Sequence, residues 1–93
     1  MNKEEKLSLI EGVFDANEAN EILTNIYLTK LNFHKMKNFS SQERFGKEDS
    51  TAIHRIPELK LNMEKFYSFI EEANLNNSKL EISSEIKIKF SDK

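Results

Sequence analysis

Apolar residues recur with a helical period through most of this chain and with a strand period near its C-terminal end. In the first segment, Leu7, Ile10 and Phe14 are spaced at i, i+3 and i+7, which is one stripe of a helix. The spacing predicts a short helix over residues 4–12. Gly12 would weaken or end that helix.

The middle of the chain predicts a long helix over residues 16–45. Asp15 and Glu18 form a capping-box pattern at its start, because each side chain can accept from the backbone amide of the other. Gly46 is the natural end, although the stretch from Phe39 to Gly46 leaves the last residue open. A seam stepping by three and four residues contains Ala19, Ile22, Ile26, Thr29, Phe33, Met36 and Ser40.

A second long helix is predicted over residues 50–75, with Asp49, Ser50 and Thr51 as cap candidates. Pro57 either kinks this helix or marks where its regular part begins. The short connection near Gly46 predicts an antiparallel hairpin of the two long helices. The seam of the second helix is apolar throughout and contains Ala52, Ile56, Leu59, Met63, Phe66, Ile70 and Ala73.

The segment over residues 79–90 changes to a period of two, which predicts a half-buried β-strand. Its even positions are apolar except Ser84, and its odd positions are charged or serine. A lone strand needs a partner for its backbone groups. It could fold on itself about Ser83 and Ser84, pair with a second subunit, add to a sheet of another protein, or stay disordered. The candidate strand interface consists of Leu80, Ile82, Ile86, Ile88 and Phe90.

Further apolar residues lie beside the two helical seams, on flanks that one hairpin partner cannot cover. They are Tyr27, Leu28, Leu31, Phe39, Leu61 and Phe69. A self-paired bundle would cover more of them. The predicted fold is therefore mainly α: an antiparallel helical hairpin with a short N-terminal helix and a C-terminal β-strand, assembled as a dimeric helical bundle.

Composition limits the chain to one small domain over residues 1–93, since 38% of its residues are hydrophobic and it has 2 Gly, 1 Pro and no Cys. Disulfide-stapled and Gly/Pro-rich classes are excluded. No apolar run approaches the roughly 20 residues of a membrane span, and the first residues are charged. We therefore expect a cytoplasmic protein that does not contact a membrane.

The sequence contains no recognisable arrangement of catalytic residues. The absence of Cys excludes thiol nucleophiles, and two glycines cannot form a Gly-rich phosphate loop. At 100° per residue, His34 and His54 project roughly 110° and 150° away from their helix seams. We therefore expect both histidines to be exposed, and we predict no enzymatic activity, no cofactor and no metal.

The net charge of −2 hides a segregation, because residues 1–22 carry −4 and residues 30–47 carry +4. We expect a small self-associating or protein-interaction module, with a homodimer favoured. The alternative is an accessory protein that binds nucleic acid or another anion, although near-neutral overall charge argues against nucleic acid. Its candidate residues are Lys30, Lys35, Lys37, Arg44, Lys47 and Arg55.

Overall fold

The computed structural model describes residues 3–92. The chain forms two strands and two helices, in the order β1 (Glu4–Phe14), α1 (Ala16–Phe45), α2 (Ser50–Asn76) and β2 (Leu80–Lys89). The helices form the predicted hairpin, and the strands form a two-stranded antiparallel sheet, which we call the ribbon. Residues 1, 2 and 93 of the predicted domain lie outside the described residues.

Local capping interactions set the bounds of α1. The Asp15 amide donates to Glu18 Oε1 at 3.0 Å, and the Glu18 amide donates to Asp15 Oδ1 at 2.8 Å, so the predicted capping box is present. At the other end Gly46 adopts the left-handed conformation with φ 68°, and its amide donates to the Gln42 carbonyl. The helix therefore runs to Phe45, which answers the question that the sequence leaves open.

The ends of α2 also follow local rules. Asp49 is the N-cap, and its side chain accepts from the Ala52 amide at 2.9 Å. Pro57 lies inside the helix rather than at its start. Asn77, at φ 52°, is left-handed, and the Ser78 amide donates to the Ala73 carbonyl at 2.9 Å, as in a Schellman motif.

The predicted N-terminal helix over residues 4–12 is wrong, because this segment is strand β1. It pairs antiparallel with β2, from Phe14 opposite Leu80 to Glu4 opposite Lys89. The unpaired strand of the sequence prediction thus finds its partner at the other end of its own chain. That pairing was not among the four alternatives that the pattern of residues 79–90 suggested.

A β-bulge explains why β1 has the apolar spacing of a helix. The register shifts between Ser8 and Ile10, so that Leu9 is an extra residue in the ladder. Ile10 lies opposite Ser84 and Leu7 lies opposite Ile86, and both partners belong to the even face of β2. Because of the extra residue, Leu7 and Ile10 lie on the same face of the strand although they are three residues apart.

The core lies where the ribbon packs against the open end of the hairpin. On α1 the buried centre consists of two small side chains, Ala16 and Ala19, which pack against Ile70 and Ala73 of α2. Small side chains allow the backbones of the two helices to approach closely. Half-buried residues of the ribbon and of α2 surround this centre: Phe14, Phe66, Leu80 and Ile82.

The two predicted helical seams have different outcomes. Every residue of the α2 seam is buried or half-buried, so that prediction is confirmed. On α1 the first three seam residues are covered, whereas Thr29, Phe33, Met36 and Ser40 are exposed. Leu31 and His34 are buried in the second half of the helix instead. The residues of α1 that face α2 thus depart from the predicted stripe beyond residue 26.

The bulge predicts opposite outcomes for two single-residue deletions in β1. Deleting Leu9 leaves a regular ladder in which Ile10 and Leu7 keep their partners, so the thermal unfolding midpoint should stay within a few degrees of the parent. Deleting Val13 with Leu7 held opposite Ile86 turns Glu11 toward the helices, and burying an unpaired carboxylate is strongly destabilising.

Circular dichroism during thermal unfolding would measure both variants. Leu9 and Val13 are each at least half exposed, so neither deletion removes a buried side chain. Equal destabilisation by the two deletions would contradict the role assigned to the bulge.

Candidate interaction surface

The ribbon is covered by the helices at one end only. Near the hairpin opening, Phe14, Leu80 and Ile82 pack against the core. Beyond Ser84 the ribbon leaves the core, and we call residues 4–8 with residues 85–90 the distal ribbon. The face that carries the even residues of β2 has three exposed apolar side chains here, Leu7, Ile86 and Ile88, together with Glu5 opposite Ile88. Phe90, which is also exposed, follows directly after the end of β2.

The predicted strand interface therefore divides into two groups. Leu80 and Ile82 belong to the internal core, where their side chains are half-buried. Ile86, Ile88 and Phe90 are 40%, 54% and 66% exposed, respectively. Leu7 also belongs to this surface, and it was not predicted there because its place on the face depends on the bulge.

The two outer edges of the ribbon differ in their capacity for further pairing. The ribbon has two strands in the described part of the chain, so each strand keeps one edge without a strand neighbour. The edge of β1 is interrupted by its bulge, a device that hinders edge-to-edge pairing. The edge of β2 is regular over ten residues and contains no proline. It is therefore the edge that can accept another strand.

Beyond Leu31, α1 turns the polar side chains of His34, Asn38 and Ser41 inward and leaves large apolar side chains exposed. Asn38 Oδ1 accepts from the Asp49 amide at 2.8 Å, and the Ser41 hydroxyl donates to the Lys47 carbonyl at 2.9 Å. These bonds satisfy the backbone of the connection, and they orient the last turns of α1. As a result Phe33, Met36 and Phe39 are 53%, 63% and 56% exposed.

His34 overturns a further expectation, since its side chain is buried at 6% exposure rather than exposed. It lies four residues before Asn38, on the face that the connection turns toward α2. Neither ring nitrogen has a hydrogen-bond partner among residues 3–92. The Phe33 ring meets the imidazole edge-on, with ring centroids 5.3 Å apart. His54 is exposed as predicted.

Of the predicted flank residues, two are covered within the chain. Tyr27 packs against Phe66 with the two rings tilted by 52° and their centroids 5.1 Å apart, and Leu31 is buried. The others remain exposed: Leu28, Phe39, Leu61 and Phe69. The radius of gyration is 16.7 Å, compared with about 12 Å for a compact domain of this length. A single chain therefore leaves much apolar surface uncovered.

The predicted basic residues do not form one cluster. Lys30 and Arg55 line a cleft of about 340 Å³ between the ribbon and the helices, together with apolar side chains such as Leu23 and Leu59. Arg55 is also paired with Glu58 on the next turn of α2. The remaining basic candidates are exposed outside the cleft: Lys35, Lys37, Arg44 and Lys47.

Lys37 shares an aromatic contact with Lys30 on α1. The two ammonium nitrogens lie 5.9 Å and 5.3 Å from the centroid of the Phe33 ring, within cation–π range. The exposed Phe33 ring thus separates two positive charges on the surface of the helix. This contact is absent from the sequence prediction, which treated Phe33 as core.

Within the described residues no group of three or more His, Asp or Glu side chains could hold a metal ion. Neither helix is both long enough and apolar enough to cross a membrane. No family model, no curated protein and no solved structure matches the chain significantly. Its function must therefore be argued from its own surfaces.

The buried imidazole predicts a stabilising substitution. His34→Leu replaces an unpaired buried polar ring with an apolar side chain of similar volume, and we expect the free energy of unfolding to rise by about 1–2 kcal/mol. Urea unfolding at neutral pH would measure this change. The matched control His54→Leu alters an exposed residue and should stay within about 0.5 kcal/mol of the parent. A loss of stability in His34→Leu would show that the imidazole makes a favourable polar contact.

Proposed function

We propose that this protein is a small non-enzymatic interaction module that acts by self-association as a homodimer. The observation that carries the proposal is the distal ribbon, whose apolar side chains are exposed next to a regular strand edge that has no strand neighbour among residues 3–92. An exposed apolar patch beside such an edge is a typical interaction surface. The absence of catalytic activity and the cytoplasmic location stay predictions.

The energetics of a two-stranded sheet support association. An isolated two-stranded ribbon is marginally stable in water, and it needs further strands or a covering layer. The helices cover only the half near Phe14 and Leu80. A partner that covers Ile86, Ile88 and Phe90 would remove apolar area from water at about 25 cal/mol per Å². Association would thus stabilise the part of the ribbon that the chain leaves bare.

The charge distribution favours a second copy as the partner. The open end of the hairpin carries acidic side chains, and the end near the connection carries four basic residues on α1 and in the connection, next to the acidic Glu43, Glu48 and Asp49. Two copies arranged head to tail would set the acidic end of each beside the basic end of the other, which favours encounter. The acidic residues are Asp15, Glu18, Glu21, Glu71 and Glu72, and the basic ones are Lys35, Lys37, Arg44 and Lys47.

Sedimentation equilibrium tests self-association directly. At about 100 μM, the range of weak association, we expect a mass of twice the 10.9 kDa chain. Replacing Ile88 and Phe90 together with serine should shift the protein toward monomer, because the exposed apolar face is lost.

The control for this variant is Leu75→Ser. Leu75 is 81% exposed but lies on α2 and not on the distal ribbon, so its replacement should leave the dimer intact. A mass of one chain for the parent protein at this concentration would refute the proposal. Binding of a strand from a different protein would then be the remaining interaction role for the ribbon.

A second candidate function is the binding of an anion in the cleft, because the fold brings Lys30 and Arg55 together over an apolar lining. The remaining four basic candidates add positive charge outside the cleft. This arrangement suits a ligand with a negative group and an apolar or aromatic body. Single-stranded nucleic acid combines these features.

Titration with a fluorescent single-stranded oligonucleotide at low salt tests this candidate. We expect binding that weakens steeply as salt is added, since phosphate contacts release counterions. The double variant Lys30→Ala, Arg55→Ala should bind more weakly than Lys60→Ala, which changes an exposed charge elsewhere on α2. A flat titration of the parent protein would eliminate nucleic acid as the ligand.

A further inference from the structure

We propose that the homodimer forms by antiparallel pairing of the outer edge of β2 with the same edge of a second copy, about a two-fold axis at Ser84. This inference rests on the proposed self-association, and it specifies the surface and the register. Its product is a four-stranded sheet with the order β1, β2, β2 and β1. Two-fold symmetry requires an interface that complements itself, so the sequence of β2 can be tested against it.

The residues of β2 are self-complementary about Ser84 on the apolar face. With Ser84 opposite the Ser84 of the second copy, Leu80 lies opposite Ile88 and Ile82 lies opposite Ile86. Directly opposed residues in an antiparallel pair lie on the same face with Cβ atoms about 4.5–5.5 Å apart. Every apolar side chain from Leu80 to Ile88 thus meets another apolar side chain.

The same register matches charges on the other face. Glu81 lies opposite Lys87, and the symmetry repeats this pair on both sides of the axis. Within its own chain Lys87 lies opposite Lys6 and reaches Glu4 at 3.9 Å. The new contact would therefore give Lys87 a directly opposed carboxylate. Lys79 and Lys89 meet at the two ends of the pairing, where solvent screens their repulsion.

Neighbouring registers are disfavoured. An axis at Ser83 sets Glu81 opposite Glu85 and Ile82 opposite Ser84, whereas an axis at Glu85 sets that carboxylate opposite itself. Like charges directly opposed in a ladder are destabilising. Shifts that pair even with odd positions would put charged residues on the apolar face. The axis at Ser84 alone among these registers satisfies both faces.

Pairing in this register also covers the distal ribbon. Leu80 and Ile82 lie on the face of β2 that packs on the helices of their own chain. In the dimer Ile88 and Ile86 of the second copy lie beside them, on that same face. The exposed end of each ribbon therefore lies beside the part of the sheet on which the helices of the other copy pack.

Charge reversal tests the predicted pairs. Each single variant, Glu81→Lys or Lys87→Glu, places like charges opposite each other twice in the dimer. We expect the dissociation constant measured by sedimentation to rise at least about fivefold in each single variant. The double variant Glu81→Lys, Lys87→Glu restores the opposite charges, so its dissociation constant should return to within about twofold of the parent.

The contact of Lys87 with Glu4 is lost in both Lys87→Glu and the double variant, so recovery in the double variant reports on the dimer. Failure of the double variant to recover would overturn the Glu81–Lys87 pairing. Circular dichroism spectra of all three variants should match the parent, since the reversed residues are exposed in the single chain.

Spin labels measure the register itself, and the absence of native cysteine allows single labelling sites. A label on Lys79→Cys lies ten residues from its symmetry mate along the paired strands, which predicts a distance near 33 Å at about 3.3 Å per residue. A label on Ser84→Cys should lie close enough to its mate for strong dipolar broadening.

The outcomes separate the two proposals. A dimer with these two distances supports the register about Ser84. A dimer with a short distance at Lys79 or no broadening at Ser84 overturns the register while self-association stands. A monomer at all concentrations removes self-association itself.

Discussion

The antiparallel pairing of β1 with β2 is the interaction on which the rest of the structure depends. It joins residues 4–14 to residues 80–89, so it connects the two ends of the chain across the helical hairpin. The hairpin in turn gains its core from the ribbon, because Phe14, Leu80 and Ile82 surround the small buried cluster at the open end. Neither layer is complete alone: the α1 side of that cluster consists of alanines, and a two-stranded ribbon needs a covering layer. The helical hairpin and the ribbon therefore depend on each other to complete the hydrophobic core.

The bulge and the mismatch in length between ribbon and core explain the exposed surfaces. The bulge keeps Leu7 and Ile10 on the same face as the even residues of β2, so this face of the ribbon is mainly apolar, with Glu5 and Ser84 as its polar members. The core, however, ends near Ile82, and the distal ribbon continues beyond it with its apolar face bare. On α1, Asn38 accepts a hydrogen bond from the Asp49 amide and Ser41 donates one to the Lys47 carbonyl, so these polar side chains face inward while Phe33 is exposed. The hydrogen bonds that satisfy the backbone of the connection thus leave apolar side chains of α1 exposed to water. Association with a partner would bury apolar surface of this kind.

Only those parts of the candidate interaction surface that depend on the residue pattern within one segment could be predicted from the sequence. The alternation of residues 79–90 identifies a strand and its apolar face, and the same alternation contains the self-complementary order about Ser84. Which of these residues stay exposed depends on how far the helices extend over the ribbon, and the periodicity of β2 has no information on that. The six basic candidates show the same limit, since only Lys30 and Arg55 share the cleft, and their proximity depends on the packing of α1 against α2. His34 was predicted to be exposed because of its angle to the predicted seam. The face of α1 that is buried beyond residue 26 differs from that seam, however, and it includes His34.

The sequence by itself determined the features that arise within a few residues: the capping box at Asp15, the left-handed end at Gly46, the apolar seam of α2 and the alternation of β2. These features follow from hydrogen bonds and side-chain spacing along one segment. Tertiary structure alone decided that residues 4–14 form a strand, that α1 buries His34 instead of Phe33, and that the ribbon extends past its core. Each of these depends on contacts between residues far apart in the chain. The bulge in β1 is the clearest case, because one extra residue in a ladder makes a strand face carry the apolar spacing of a helix.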